Sequence, residues 1–120
     1  MQSNRKTLSL RVGRDADRAV AGPVDILSLA IARKFCVSIV YNKQTMILAP
    51  HIVYTRHDEP YVDGVVLERE GKPPRELKLG TFKLAGLGQL ALTGQGFTVQ
   101  PFYDPADPRY EGVTLSAISA

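Results

Sequence analysis

Cysteine is nearly absent from this sequence. The single residue Cys36 cannot form a disulfide within the chain, and chains without paired cysteines are typical of reducing compartments. Long apolar runs are also missing, since none approaches the ~20 residues of a membrane-spanning helix. The residues after Met1 lead into no signal-like apolar core. We therefore expect a cytoplasmic protein with no membrane partner.

Patterns that carry metal, phosphate-loop or catalytic chemistry are missing as well. The two histidines, His51 and His57, have no cysteine or third histidine at metal-ligand spacing. The glycines form neither a GxGxxG pattern nor a Walker loop. No nucleophile, base and orienting group can be assembled from spacing alone. The sequence predicts a protein that is not an enzyme and uses no metal or cofactor.

Neither positive nor negative charge is in large excess. Fifteen Lys and Arg against twelve Asp and Glu give a net charge of +3, which is a weak bias toward anionic partners. The first 18 residues carry five basic and two acidic side chains, whereas residues 104–111 carry three acidic and one basic. A frayed terminus and a basic arm lying along a nucleic acid both fit the N-terminal segment.

The sequence does contain one short helical pattern followed by alternating strands. Gly22-Pro23 precedes a helix of about ten residues that ends at Arg33-Lys34. Predicted strands then cover residues 37–41, 45–53, 61–68, 75–84 and 89–93, and Pro50 marks a bend or an edge in the second. Short strands with tight turns favour a small barrel. The predicted fold is α+β, mainly β with one N-terminal helix and a five-stranded SH3/Sm-like barrel.

The chain length predicts one domain with a sizeable core. We divide it into an N-terminal arm (residues 1–22), a barrel (23–96) and a C-terminal extension (97–120). Within the arm, residues 8–12 alternate and form a candidate edge strand. The extension contains three prolines but also four aromatic residues, too many for a disordered tail. We expect it to wrap its own barrel or a second copy, with a final strand near residues 113–115.

The order of these elements carries a resemblance. The helix is followed by a strand at residues 37–42, a Pro-His bend at 47–51, a hairpin into 60–62 and a strand at 77–82. This order resembles the WYL domain, an Sm-like/SH3-like β-barrel of bacterial transcription and defence regulators, over about residues 24–93. Of the Trp-Tyr-Leu tripeptide that names the family, only Tyr61 is retained. In the strand at residues 77–82 the family has two basic residues, and this chain retains one of them as Lys78. Lysine presents a point charge rather than the bidentate fork of arginine.

A ligand face follows from the resemblance and from the residue types. Its six candidate residues are Tyr61, Lys78, His51, Arg75, Lys83 and Tyr41. Aromatic rings on a barrel can stack bases, and the resemblance makes His51 a pocket-edge residue. The same side chains also fit solvated surface, and the phase of Tyr41 with Val37 and Ile39 favours the core.

Two functions remain open. The first is a stand-alone WYL-like sensor that binds a nucleotide or a single-stranded nucleic acid by charge neutralisation and stacking. Ligand binding would be transmitted to a regulatory partner protein or to a second copy of the chain. The second is a protein-interaction module without a small ligand, in which edge strands and the aromatic extension form a homodimer interface.

Overall fold

The computed structural model describes residues 22–118, which are mainly β with one helix. The elements in chain order are α1 (Pro23–Arg33), β1 (Phe35–Tyr41), β2 (Gln44–Arg56), β3 (Glu59–Arg69), β4 (Leu79–Lys83), β5 (Gly88–Gly96) and β6 (Thr114–Ala117). Single 3₁₀ turns lie at Leu84–Gly86 and Pro108–Tyr110. Pro23 occupies the first turn of α1, as predicted. The predicted arm, with its candidate strand at residues 8–12, lies outside the described residues apart from Gly22.

All six strands belong to one antiparallel sheet that curls strongly. The strand order is β4-β3-β2-β1-β5, and β6 pairs with the second half of β2. In a flat sheet the edge strands β4 and β5 would lie about 19 Å apart, at ~4.8 Å between neighbours. The four connecting residues contain a 3₁₀ turn that rises only ~2 Å per residue, so the sheet must bend to bring its edges closer. The ring centroids of Tyr41 on β1 and Phe82 on β4 accordingly lie 5.2 Å apart.

The structure differs from the predicted five-stranded closed barrel in two respects. A sixth strand from the C-terminal extension joins the sheet, and within residues 22–118 no ladder joins β4 to β5. The predicted strand 75–84 is also too long, because β4 begins only at Leu79. Pro73 and Pro74 lack the backbone donors of a ladder. Arg75 and Lys78 therefore lie in the loop that precedes β4.

Pro50 lies where β2 changes partner. Along one edge, β1 pairs with residues up to Leu48 and β6 pairs from Ile52 onward, so Pro50 falls between two ladders. A residue without an N–H is accommodated at such a gap. Toward β3 the register shifts between Pro50 and Ile52, which leaves His51 as the extra residue of a bulge. Of the bend or edge predicted at Pro50, the structure shows the bend, because a bulged strand bends locally.

The two faces of the sheet are buried by different partners. The concave face carries Val37, Ile39 and Val62, and its buried cluster extends to α1. The opposite face is covered by the C-terminal extension (in the structure, residues 97–118). Phe97, Tyr103 and Tyr110 of the extension pack on this face, against the Cys36–Ala49–Val65 cluster, His51 and Tyr54 respectively. Of the two surfaces expected for the extension, it covers that of its own chain.

The close approach of β2 and β3 at Gly64 makes the first prediction. A Cβ at this position would lie 2.7 Å from the backbone O of Ala49 and 3.1 Å from the Cα of Pro50. Because backbone atoms cannot rotate away, Gly64→Ala should lower the free energy of unfolding by about 1–3 kcal/mol, as at other overpacked sites.

Urea denaturation measures this loss against Gly94→Ala, the matched control. No atom of the described chain lies within 4 Å of a Cβ added at Gly94, so the control should change stability by about 0.5 kcal/mol or less. Equal losses in the two variants would contradict the proposed clash.

Candidate functional site

Asp63 is a carboxylate on the covered face of the sheet with no solvent exposure. Its Oδ1 accepts hydrogen bonds from the hydroxyls of Tyr54 and Thr81, at 2.7 Å and 2.8 Å. Its Oδ2 accepts one from the Tyr110 hydroxyl at 2.5 Å and lies 3.7 Å from Nη1 of Arg109. A buried carboxylate is tolerated only when its oxygens are paired. We call these five residues the Asp63 cluster.

Strand register and one 3₁₀ turn assemble the Asp63 cluster. Asp63 pairs with Thr81 of β4, and Tyr54 of β2 pairs with Tyr61, which precedes Asp63 by two residues on the same face. Tyr110 and Arg109 belong to the 3₁₀ turn Pro108–Tyr110. The carboxylate of the preceding residue, Asp107, accepts a hydrogen bond from the backbone N–H of Arg109. The cluster thus joins three strands to the C-terminal extension.

Both tyrosines of the cluster are hydrogen-bond donors near neutral pH. Burial, together with the hydrogen bond to Asp63, raises the pKa of Tyr54 to about 12. The same two causes raise the pKa of Tyr110. A phenol that holds its proton this firmly cannot act as a general base near pH 7. Their role here is to stabilise the buried carboxylate.

A cleft of about 350 Å³ opens beside the Asp63 cluster, and we call it the arginine cleft. It is lined by Tyr54, Arg56, Thr81 and Arg109. The guanidinium of Arg56 lies over the ring of Tyr61 at 5.3 Å, and that of Arg109 over the ring of Tyr110 at 5.6 Å. Such cation–π contacts orient the guanidinium plane, and its N–H edge matches carboxylate or phosphate oxygens. The arrangement is suited to binding an anion.

Two of the predicted residues, Tyr61 and Lys83, lie beside the arginine cleft. They pair across β3 and β4. The ring of Tyr61 stacks on that of Tyr54 at 6.2 Å and also supports Arg56. Lys83 forms an exposed ion pair with Glu59 at 2.8 Å, and the hydrogen bond to Glu59 raises the pKa of Lys83. In this structure Tyr61 therefore positions an arginine, and Lys83 is engaged with a carboxylate.

Arg75 and Lys78 lie elsewhere. With Arg69, Pro74 and Glu76 they line a separate surface depression of about 330 Å³, which we call the basic depression. Five positions separate Lys78 from Lys83, about 17 Å of extended chain. The structure therefore does not bring the six predicted residues onto one face.

His51 is buried, which differs from the pocket-edge position that the resemblance implies. It has no solvent exposure, because the bulge places it under the C-terminal extension. Its ring lies 5.2 Å from that of Phe97 and 5.1 Å from that of Tyr103. Tyr41, the sixth predicted residue, is half-buried on the concave face against Phe82. Neither residue lines the arginine cleft.

Sequence reasoning missed the cleft arginines and the Asp63 cluster. In sequence, Arg56 lies next to the hairpin that leads into residues 60–62, and nothing near Arg109 indicates a site. Asp63 did carry a signal, since it is a lone carboxylate on the same strand face as Tyr61 and is flanked by Val62 and Gly64. An acidic residue in phase with a buried strand face needs a partner.

Comparisons with protein-family models, characterised proteins and solved structures find no match to this chain. The resemblance to the WYL domain therefore stays a prediction. Among residues 22–118, no group of three or more His, Cys, Asp or Glu side chains could hold a metal ion. No helix in this part of the chain is long and apolar enough to cross a membrane. The cytoplasmic location likewise stays a prediction.

Removing the Tyr110 hydroxyl should destabilise the protein more than removing the Tyr103 hydroxyl. Tyr110→Phe takes a donor from a buried carboxylate, and hydrogen bonds to charged groups contribute about 1.5–3 kcal/mol. Tyr103→Phe removes a neutral bond of 3.1 Å from its hydroxyl to the backbone O of Ile118, which contributes about 1 kcal/mol. Urea unfolding at neutral pH compares the two variants. If Tyr110→Phe lost an equal or smaller free energy of unfolding, this would contradict the role of Asp63 as a buried charged acceptor.

Proposed function

We propose that this protein is a regulatory domain that binds a phosphate-bearing ligand, a nucleotide or a single-stranded nucleic acid, at the arginine cleft. One observation carries the proposal: guanidinium groups from two separate elements, Arg56 at the end of β2 and Arg109 in the extension, line one cleft. Arginine presents a planar fork that pairs with two phosphate oxygens.

The size and charge of the arginine cleft support this ligand class. Its volume of about 350 Å³ falls in the range of small-ligand sites. No carboxylate of residues 22–118 lies within 4 Å of Arg56, so its guanidinium has no acidic partner in this part of the chain. Arg109 contacts the partly exposed carboxylate of Asp107 at 3.2 Å, and a bound phosphate would replace that contact.

We also propose that the sheet is an opened SH3/Sm-like barrel. A helix before the sheet, the order β4-β3-β2-β1-β5 and a 3₁₀ turn between the two edge strands are what an opened SH3/Sm-like barrel would give. In the WYL-like reading, the domain has no catalytic role. It reports ligand binding to a regulatory partner protein.

Binding of oligothymidylate tests the site. An oligomer of about eight nucleotides matches the site sizes of small barrels, and its affinity is measured by fluorescence anisotropy at about 50 and 200 mM salt. Arg56→Gln and Arg109→Gln should each weaken binding roughly tenfold, since each removes a charge-assisted hydrogen bond. Asp107→Asn, which removes the negative charge paired with Arg109, should strengthen binding. AMP, ADP and cyclic nucleotides are titrated in parallel.

Arg33→Gln, at the exposed end of α1, is the charge-matched control and should change little. Equal weakening by this variant would mean that net charge alone drives binding. Loss of binding only in Arg75→Gln and Lys78→Gln would move the site to the basic depression. No binding of any of these probes at low salt would end the proposal.

One observation favours the alternative, a self-association module. Among residues 22–118 the edge strand β5 pairs only with β1. It is nine residues long and contains no charged residue and no proline. Native edge strands are commonly protected by such residues. A second copy pairing along β5 would give a dimer that Ala91→Lys converts to monomer in light scattering. A monomeric wild-type protein at tens of micromolar would contradict this alternative.

A further inference from the structure

We infer that His51 is a pH-sensitive latch that holds the C-terminal extension, and with it Arg109 of the arginine cleft, on the sheet. The latch itself depends only on contacts within the fold. Its effect on ligand binding rests on the proposed function. The two parts therefore need separate measurements.

His51 contacts both ends of the extension. Its side-chain Nε2 accepts a hydrogen bond from the backbone N–H of Gln100 at 3.2 Å, and its backbone O accepts one from the N–H of Ile118 at 2.9 Å. The rings of Phe97 and Tyr103 pack against the imidazole. The Tyr103 hydroxyl donates in turn to the backbone O of Ile118. One bulge residue thus gathers the start and the end of a segment that otherwise has little regular structure.

The hydrogen bond from Gln100 to Nε2 requires a neutral imidazole. Nδ1 lies 2.9 Å from the backbone O of Ala49, which can only accept, so Nδ1 carries the hydrogen and Nε2 is left as an acceptor. A proton on Nε2 would face the N–H of Gln100 and place a charge where no solvent reaches. Burial accordingly lowers the pKa of His51, and the Ala49 carbonyl opposes this in part. Tyr103 is the titratable side chain whose ring contacts the imidazole, and no charged side chain of the described residues shifts this pKa.

The sign of the pH effect follows from this lowered pKa. A released His51 takes up a proton near its ordinary pKa of about 6.5, whereas the docked one resists. Docking is therefore complete above about pH 6.5 and weakens as the pH falls below it, by up to tenfold per pH unit, until the docked imidazole itself titrates.

The latch reaches the cleft through the chain between Tyr103 and β6. Over this stretch the described contacts that hold the extension to the sheet centre on the Asp63 cluster and the hydrogen bond from the Thr55 N–H to the Val113 O. Without the His51 contacts, the described hydrogen bond that still holds the start of the extension runs from the Phe97 N–H to the Lys34 O, twelve residues before Arg109. Arg109 then lies on a longer stretch that is held mainly toward its C-terminal side. Acidification should therefore move Arg109 away from its position opposite Arg56 in the arginine cleft.

Hydrogen exchange of the wild-type protein tests the latch without any ligand. Protection factors for the Gln100 and Ile118 amides are measured between about pH 7.5 and 5.5, the range in which histidine titrates. They should fall below pH 6.5, while the Val62 amide at the centre of β3 keeps its protection. His51→Gln, whose amide oxygen is an acceptor that does not titrate, should remove the pH dependence. His57→Gln, at the hairpin tip, should retain it.

Constant protection of Gln100 and Ile118 in the wild-type protein would overturn the latch, whether or not His51→Gln folds. The coupling is tested with the same oligothymidylate, because phosphodiesters keep their charge over this range. The wild-type protein should bind more weakly at about pH 5.5 than at 7.5, and His51→Gln should not. Unchanged wild-type affinity alongside falling protection would overturn the coupling. Falling protection with no binding of oligothymidylate, AMP, ADP or cyclic nucleotides at either pH would support the latch and refute the proposed function.

Discussion

The rest of the structure depends on a carboxylate that has no access to water. An isolated buried charge costs far more free energy than a folded domain has to spare, so Asp63 is compatible with this fold only while hydroxyls reach it from several directions. Tyr54 and Thr81 come from the neighbouring strands, and Tyr110 comes from 47 positions along the chain. The sheet and the C-terminal extension are therefore not independent. If the extension moved off the sheet, Asp63 would lose the Tyr110 hydrogen bond and part of its cover from solvent.

Polar contacts, more than apolar ones, specify where the extension lies. Phe97 and Tyr103 bury apolar surface on the sheet, but apolar contact is non-directional and would tolerate several placements. The hydrogen bonds at Asp63 and His51 allow only one, since each has a defined donor and acceptor. The bulge after Pro50 is what turns His51 toward the extension. A proline that at first only interrupts a strand thus determines how a distant segment docks.

Local pattern was enough to predict the helix, most strands, the bend at Pro50 and the strand near the C-terminus, because each depends on neighbours in sequence. It failed at the fourth strand, where alternation continued through residues 75–78 although the ladder between β3 and β4 ends at the pair Val65–Leu79. It also failed at the site. Arg56 and Arg109 line one cleft only because the extension folds back over the sheet, and the buried His51 is contacted by Gln100, 49 residues away. Such contacts leave no periodic trace, although the lone Asp63 beside Tyr61 did indicate that a partner was required.

The Asp63 cluster also explains why the proposed anion site is compatible with a buried negative charge beside it. Three hydroxyl donors already satisfy Asp63, so Arg109 need not approach closely, and its Nη1 stays 3.7 Å away with the side chain 55% exposed. A guanidinium closer to the carboxylate would be neutralised and withdrawn from solvent. Held instead over Tyr110 and loosely paired with Asp107, it keeps donors for an outside partner. The three hydroxyls thus take the place of water around Asp63. The positive charge of Arg109 is therefore available to the proposed ligand.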